Sequence, residues 1–130
     1  MPAPRHFNRV FASLLLSGFC YGHICFAADE ISSCKNAATT AAMRACEDAR
    51  YKAADQQLNA VYNRLIRELD KRQQEKLRLA QRAWIQFRDA NADFVAARAE
   101  GGTLAPLLKI TALADMTEVR AQELMRVRIP

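Results

Sequence analysis

Residues 54–77 read ADQQLNAVYNRLIRELDKRQQEKL, and this stretch decides the fold of the chain. Its apolar residues recur at steps of three and four, which places them on one face of a helix. They are Ala54, Leu58, Val61, Tyr62, Leu65 and Leu69. Asp70 and Gln73 then have the spacing of a capping box, so a second helix is expected to start directly after the first. The stretch predicts a helical hairpin.

The hairpin extends in both directions, because no glycine or proline occurs between Gly22 and Gly101. Ala, Leu, Arg, Gln and Glu dominate this span, and all favour helix. The first helix is predicted over about residues 40 to 69, with Thr39 or Thr40 as its cap. The second is predicted over about 71 to 99.

A third helix should follow the pair Gly101 and Gly102, which is expected to end the second helix. Thr103 can cap it, and Pro106 falls in its first turn, where the missing N–H is harmless. The fold class predicted is all-α: a small antiparallel bundle with three main helices and a disulfide-pinned N-terminal segment.

Two further apolar stripes are expected to complete the core. In the second helix the stripe consists of Leu77, Ala80, Trp84, Phe87, Asn91 and Phe94. In the third it consists of Leu107, Ile110, Leu113, Met116, Leu124 and Val127, interrupted by the polar residues Thr117 and Arg120.

The N-terminal segment has the pattern of a secretory signal peptide. Arg5 and Arg9 precede an apolar run from Val10 to Ala27, with small residues where a peptidase cleaves. We predict a signal peptide over residues 1–27, a single domain over 28–130, and a periplasmic or secreted location. A signal anchor is the alternative, as is a lipid anchor on Cys20, which the bulky Phe19 disfavours.

Cleavage would change the chemistry available to the protein. His6 and His23 would both be lost, which excludes Ser-His and Cys-His catalysis and the commonest metal ligand. The 17 basic and 14 acidic residues that remain would give a net charge of about +3, with alternating signs that do not favour nucleic-acid binding. We expect no enzymatic activity, metal or cofactor, and no membrane span after cleavage.

Cys34 and Cys46 would be the two remaining cysteines, and an oxidising compartment predicts a disulfide between them. The closed loop of 13 residues would stabilise the fold by at most about 3 kcal/mol. A redox-active pair is the alternative, which the spacing disfavours because it is not C-x-x-C.

The decapeptide QRAWIQFRDA, residues 81–90, contains the only tryptophan and the main candidates for a binding surface. Arg82, Arg88, Asp89 and Asp93 suit either a partner contact or structural ion pairs between helices. Trp84 and Phe87 suit either a partner hot spot or the core, and we favour the core. Asp55, Asn59 and Tyr62 are expected to form a buried hydrogen-bond network with Arg88 or Arg120.

Taken together and in order, five features resemble the lysozyme inhibitor LprI-like family of exported bacterial proteins. They are the pair Cys34 and Cys46, the segment 54–65, the decapeptide 81–90, the turn 101–103, and the pattern T-x-x-R-x-x-x-L formed by Thr117, Arg120 and Leu124. The resemblance covers roughly Cys34 to Met125.

The resemblance implies a non-catalytic binding protein that inhibits lysozyme, with Arg88 or the loop from Gly101 to Leu104 entering the substrate cleft. The alternative is a periplasmic interaction or envelope-stress module with no effect on lysozyme. Many relatives carry a second cysteine pair where this chain has Ala92 and Ala112.

Overall fold

The computed structural model describes Cys34 and residues 36–129. Three long helices follow one another: α1 over Thr40–Glu68, α2 over Lys71–Ala97 and α3 over Leu104–Met125. The predicted all-α class and number of helices are confirmed. The predicted signal peptide and the boundary at residue 27 lie outside the described residues.

Local capping chemistry sets the helix boundaries. The Thr39 side chain accepts a hydrogen bond from the Ala42 N–H at 3.1 Å. Asp70 and Gln73 form the predicted capping box, in which each side chain accepts from the other residue's backbone N–H. Gly101 has a positive φ of 78°, a conformation that glycine adopts at little cost. Thr103 precedes α3 as predicted, but its side chain makes no capping hydrogen bond.

The helices run up, down and up. Arg50 pairs with Glu118 and Gln57 contacts Met125, so α1 and α3 are parallel. α2 is antiparallel to both, because α1 and α2 are joined only by the turn at Leu69 and Asp70. α3 packs closely on both other helices, whereas α1 and α2 approach each other closely at few positions.

This topology gives the bundle two distinct ends. The disulfide end carries the Cys34–Cys46 bridge and the loop of residues 98–103. The turn end carries the turn at residues 69–70 and the C-terminal residues 126–129, where Ile129 packs against the core.

The core centres on the predicted stripe of α1 and on small residues of α3. Leu58, Val61 and Leu65 pack against Ala121 and Leu124. Tyr62, Leu69, Leu77 and Trp84 surround this cluster and are partly buried. Because α3 buries mainly small side chains, it lies close to α1, and the wider space beside α2 is filled by aromatic rings.

The predicted stripe of α2 is wrong on one side. Leu77, Trp84 and Asn91 face inward as expected, but Phe87 and Phe94 are 62% and 71% exposed. The neighbouring positions Gln81, Arg88 and Val95 are turned inward instead, and Ala80 is exposed. An arginine can take an inward position when its stem packs and its guanidinium stacks on aromatic rings.

The predicted buried face of α3 is only partly correct. Leu124 is buried, but Val127 lies beyond the helix and is exposed. Thr117, predicted to interrupt the apolar face, is completely buried. Its hydroxyl donates to the Leu113 carbonyl at 2.6 Å, which satisfies the polar group inside the core.

Candidate functional site

A stack of alternating aromatic rings and cations occupies the space between the helices. The Arg88 guanidinium lies 5.7 Å from the Tyr51 ring centre and 5.2 Å from that of Trp84. Arg120 lies over Trp84 at 5.9 Å. The order is therefore Tyr51, Arg88, Trp84, Arg120, and it joins all three helices through cation–π contacts.

Arg88 is the central and least accessible cation of this stack. Its side chain is only 11% exposed, and it donates to a single Asp89 oxygen at 2.8 and 2.9 Å. A cation held by two rings and a carboxylate would lose these contacts on reaching toward a partner. These contacts favour a packing role for Arg88.

Arg120 links α3 to α2 beside Trp84. Its Nε donates to Gln81 Oε1 at 3.2 Å, and its Nη1 donates to Glu123 Oε2 at 3.1 Å. Trp84 therefore contacts two arginines, and its side chain is partly buried. Of the decapeptide, Gln81, Trp84 and Arg88 face the neighbouring helices, whereas its other seven residues are exposed.

The predicted network from Asp55 and Asn59 to the arginines is wrong. Asn59 Nδ2 donates to Asp55 Oδ2 at 2.9 Å within one turn of α1, so these two residues satisfy each other at the surface. Neither is bonded to Arg88 or Arg120 in the described part of the chain. Tyr62 packs against the apolar core instead.

The other predicted charges lie at the surface. Arg82 is exposed, and its nearest carboxylate oxygen, on Glu75, is 3.9 Å away. Asp93 contacts Lys109 across α2 and α3, and Asp89 is half exposed beside Arg88. A partner-contact role for Arg82 and Asp89 stays a prediction.

Arg50 forms an ion cluster that the sequence did not reveal. Its Nε donates to Glu118 at 2.7 Å and its Nη1 to Glu47 at 2.6 Å, and Asp115 also contacts it. The hydrogen bond to Glu118 is the main cause that raises the Arg50 pKa above its ordinary value. Only the Glu47–Arg50 spacing was visible in sequence; the α3 carboxylates are brought close by folding.

The predicted bridge is present, with the Cα atoms of Cys34 and Cys46 5.6 Å apart. It attaches the segment before α1 to the second turn of that helix. Ala92 is completely buried and Ala112 nearly so, at the interface of α2 and α3. The flanking pairs Asp93–Lys109 and Asn91–Met116 set a register that brings Ala92 opposite Ala112.

Exposed apolar side chains occur at both ends of the bundle. Phe87, Phe94 and Leu104, the last 50% exposed, belong to the disulfide end. Leu79, Met125 and Val127 belong to the turn end, where Leu79 is 49% exposed. Large apolar side chains in such positions are candidates for contacts with other molecules.

Charge is distributed unequally between the two halves of the bundle. The turn half, residues 54–83 and 119–129, contains ten basic and five acidic side chains, a net charge of +5. The disulfide half, residues 36–53 and 84–118, contains six basic and seven acidic side chains, a net charge of −1. Folding creates part of this separation, because the C-terminal Arg126 and Arg128 return to the turn end.

The described residues contain no group of three or more His, Cys, Asp or Glu side chains placed to hold a metal ion. A shallow hollow of about 490 Å³ lies on the outer face of α1, beside Ala45 and Ala49. Asp48 is the one carboxylate that lines it, so the hollow lacks the acid pair that glycoside hydrolysis requires. Within the described ranges, no helix is both long enough and apolar enough to cross a bilayer.

Comparison with known proteins assigns the chain to a family. The family described as Lysozyme inhibitor LprI matches residues 32–124. The chain belongs to the LprI family. The predicted resemblance is thereby confirmed over almost all of the described structure.

One curated relative of this LprI-family chain is an uncharacterized protein of Rhizobium meliloti (strain 1021). It is 31% identical over 104 residues, covering 70% of this chain and 75% of the relative. No solved structure matches.

Proposed function

We propose that the protein is an exported, non-catalytic inhibitor of lysozyme. The observation that carries this proposal is the match to the lysozyme inhibitor family across residues 32–124, which spans all three helices and the disulfide. The scarcity of catalytic groups supports a binding role, because the described residues contain no histidine and the disulfide occupies both described cysteines.

The disulfide end is the better candidate for the contact with lysozyme. Phe94 and Leu104 are exposed there on either side of the loop 98–103, and large apolar side chains commonly anchor protein interfaces. Its two glycines, Gly101 and Gly102, let the loop approach another backbone closely.

Charge favours the same end. Many host lysozymes are basic, and a uniformly basic inhibitor would gain no electrostatic attraction toward them. Here the +5 charge belongs to the turn half, whereas the disulfide half has a net charge of −1. A basic lysozyme therefore meets less repulsion at the disulfide end, and the Debye length of about 8 Å at physiological salt keeps the ends electrostatically distinct.

Among the cations, Arg98 replaces Arg88 as the candidate for insertion into the carboxylate-lined substrate cleft. Arg88 is enclosed in the aromatic stack, whereas Arg98 is exposed at the start of the loop. A lysozyme cleft contains a general-acid Glu and a second carboxylate, and a guanidinium can contact either of them.

The test is lysis of bacterial cell walls by several lysozymes in the presence of the full chain. Phe94→Ser combined with Leu104→Ser should weaken inhibition at least tenfold, because each removes an apolar anchor worth more than about 1 kcal/mol. Leu79→Ser is the matched control at the opposite end and should leave inhibition unchanged.

The proposal fails if folded protein, verified by circular dichroism, does not slow lysis at micromolar excess. A pull-down from periplasmic extract would then test the second candidate, an envelope interaction module, which the same exposed anchors of the disulfide end would serve. Loss of the captured protein in the Phe94→Ser and Leu104→Ser variant would support that module.

A further inference from the structure

The cations of the turn half, residues 54–83 and 119–129, are mostly free of carboxylate partners. Seven of the ten basic side chains in this half make no ion pair with any described residue. They are Arg64, Arg67, Lys71, Arg72, Lys76, Arg126 and Arg128. The Glu75 carboxylate oxygens lie 3.7 Å from Arg78 Nη1 and 3.9 Å from Arg82 Nη2. Glu123 pairs with Arg120. The net positive charge is therefore available to an anionic surface.

Exposed apolar side chains lie among these cations. Leu79 lies one helical turn from both Lys76 and Arg82, and half of its surface is exposed. Val127 is exposed between Arg126 and Arg128 in the C-terminal segment. Cationic side chains that surround apolar ones are typical of protein surfaces that lie in the headgroup region of a membrane.

We propose that the turn end binds peripherally to the surface of an anionic phospholipid bilayer. Lys and Arg would contact the headgroup phosphates, and Leu79 and Val127 would enter the boundary between headgroups and acyl chains. This placement directs the disulfide end away from the membrane. The inference does not depend on inhibition of lysozyme.

A lipid surface suits this end better than a nucleic acid does. The turn half contains one aromatic residue, Tyr62, and its ring packs against the core, so no exposed ring is available there for base stacking. Exposed aliphatic side chains gain nothing from a phosphodiester backbone. They gain free energy when they leave water for the bilayer interface.

The experiment is sedimentation of the full chain with vesicles of equal parts phosphatidylglycerol and phosphatidylcholine, compared with pure phosphatidylcholine. Mass spectrometry first establishes whether the apolar N-terminal segment is still attached. Arg72→Gln with Lys76→Gln should weaken binding to the anionic vesicles about 25-fold, since each cation near such a surface contributes roughly fivefold. Raising the salt concentration should weaken binding of the parent chain.

The matched control is Lys52→Gln with Arg98→Gln, which removes the same charge from exposed positions of the disulfide half. Equal weakening by the two pairs would overturn the proposal, because net charge rather than the turn end would then control binding. Circular dichroism verifies that every variant is folded.

Leu79→Gln separates a lipid surface from a soluble polyanion. It should weaken vesicle binding severalfold and leave any binding to double-stranded DNA unchanged. Vesicle binding that is insensitive to Leu79→Gln, together with DNA binding of equal strength, would overturn the proposal in favour of a general polyanion site.

Discussion

Replacing Arg88 tests whether the aromatic stack is a structural joint. Arg88→Met retains a long, flexible stem but removes the guanidinium between Tyr51 and Trp84. A cation–π contact contributes about 0.5–1 kcal/mol when exposed and about 2 kcal/mol when desolvated. Arg88 is 11% exposed and faces two rings, so we assign about 1 kcal/mol to each. The ion pair to the half-exposed Asp89 adds little.

The free energy of unfolding should therefore fall by about 2 kcal/mol. For a domain of this size the Tm should fall by about 10 °C. Arg88→Lys retains the charge but loses the planar stacking, and should cost about half as much. Urea denaturation followed by circular dichroism measures both values, and Trp84 fluorescence reports on the stack itself.

Arg82→Met is the matched control, because it makes the same substitution on the exposed face of the same helix. Its expected effect is within about 0.5 kcal/mol. A double-mutant cycle with Tyr51→Leu should show a coupling energy of about 1 kcal/mol between Tyr51 and Arg88. If Arg88→Met is as stable as the parent chain, or if the cycle shows no coupling, the structural role assigned to Arg88 is incorrect.

Three further predictions concern the bridge and the core. Unreduced protein should show no free thiol on alkylation at Cys34 or Cys46, and Cys34→Ser with Cys46→Ser should lose at most about 3 kcal/mol of stability in urea. Ala92→Cys with Ala112→Cys should form a second disulfide under oxidising conditions. Its closed loop of 21 residues should raise the free energy of unfolding by at most about 3 kcal/mol. If both introduced thiols remain titratable after oxidation, the register inferred between α2 and α3 is incorrect. Leu65→Ala should destabilise the fold by about 2–5 kcal/mol, and a smaller loss in thermal unfolding would show that Leu65 is not central to the core.

The sequence predicted local structure well because the relevant signals are local. The Asp70 and Gln73 capping box lies within four residues, and the absence of glycine and proline favours long helices whatever their tertiary contacts. The stripe of α1 is also unambiguous, since Leu58, Val61 and Leu65 have no equally apolar neighbouring stripe.

The inward face of α2 could not be chosen on the same basis. Two stripes lie side by side on this helix, one with Phe87 and Phe94 and the other with Gln81, Arg88 and Val95. Hydrophobicity alone favours burial of the stripe with Phe87 and Phe94. The stripe with Arg88 can be buried because the Tyr51 ring on α1 contacts the Arg88 guanidinium. This contact is visible only once the helices are packed together.

The candidate site shows the same division. The sequence identified Trp84, Arg88 and Arg120 as important, and the structure joins them in one stack. It did not reveal the Arg50 cluster, whose partners Asp115 and Glu118 are more than 60 residues away in the chain.

By itself, the sequence determined the three helices and their approximate boundaries, the pairing of Cys34 with Cys46 and membership of the LprI family. These depend on interactions between residues close in the chain, on the small number of cysteines, and on motifs in a set order. Only the tertiary structure decided which face of α2 is buried and where the charges accumulate. The parallel packing of α3 on α1 brings Arg126 and Arg128 to the turn end, and no spacing within either helix specifies that packing.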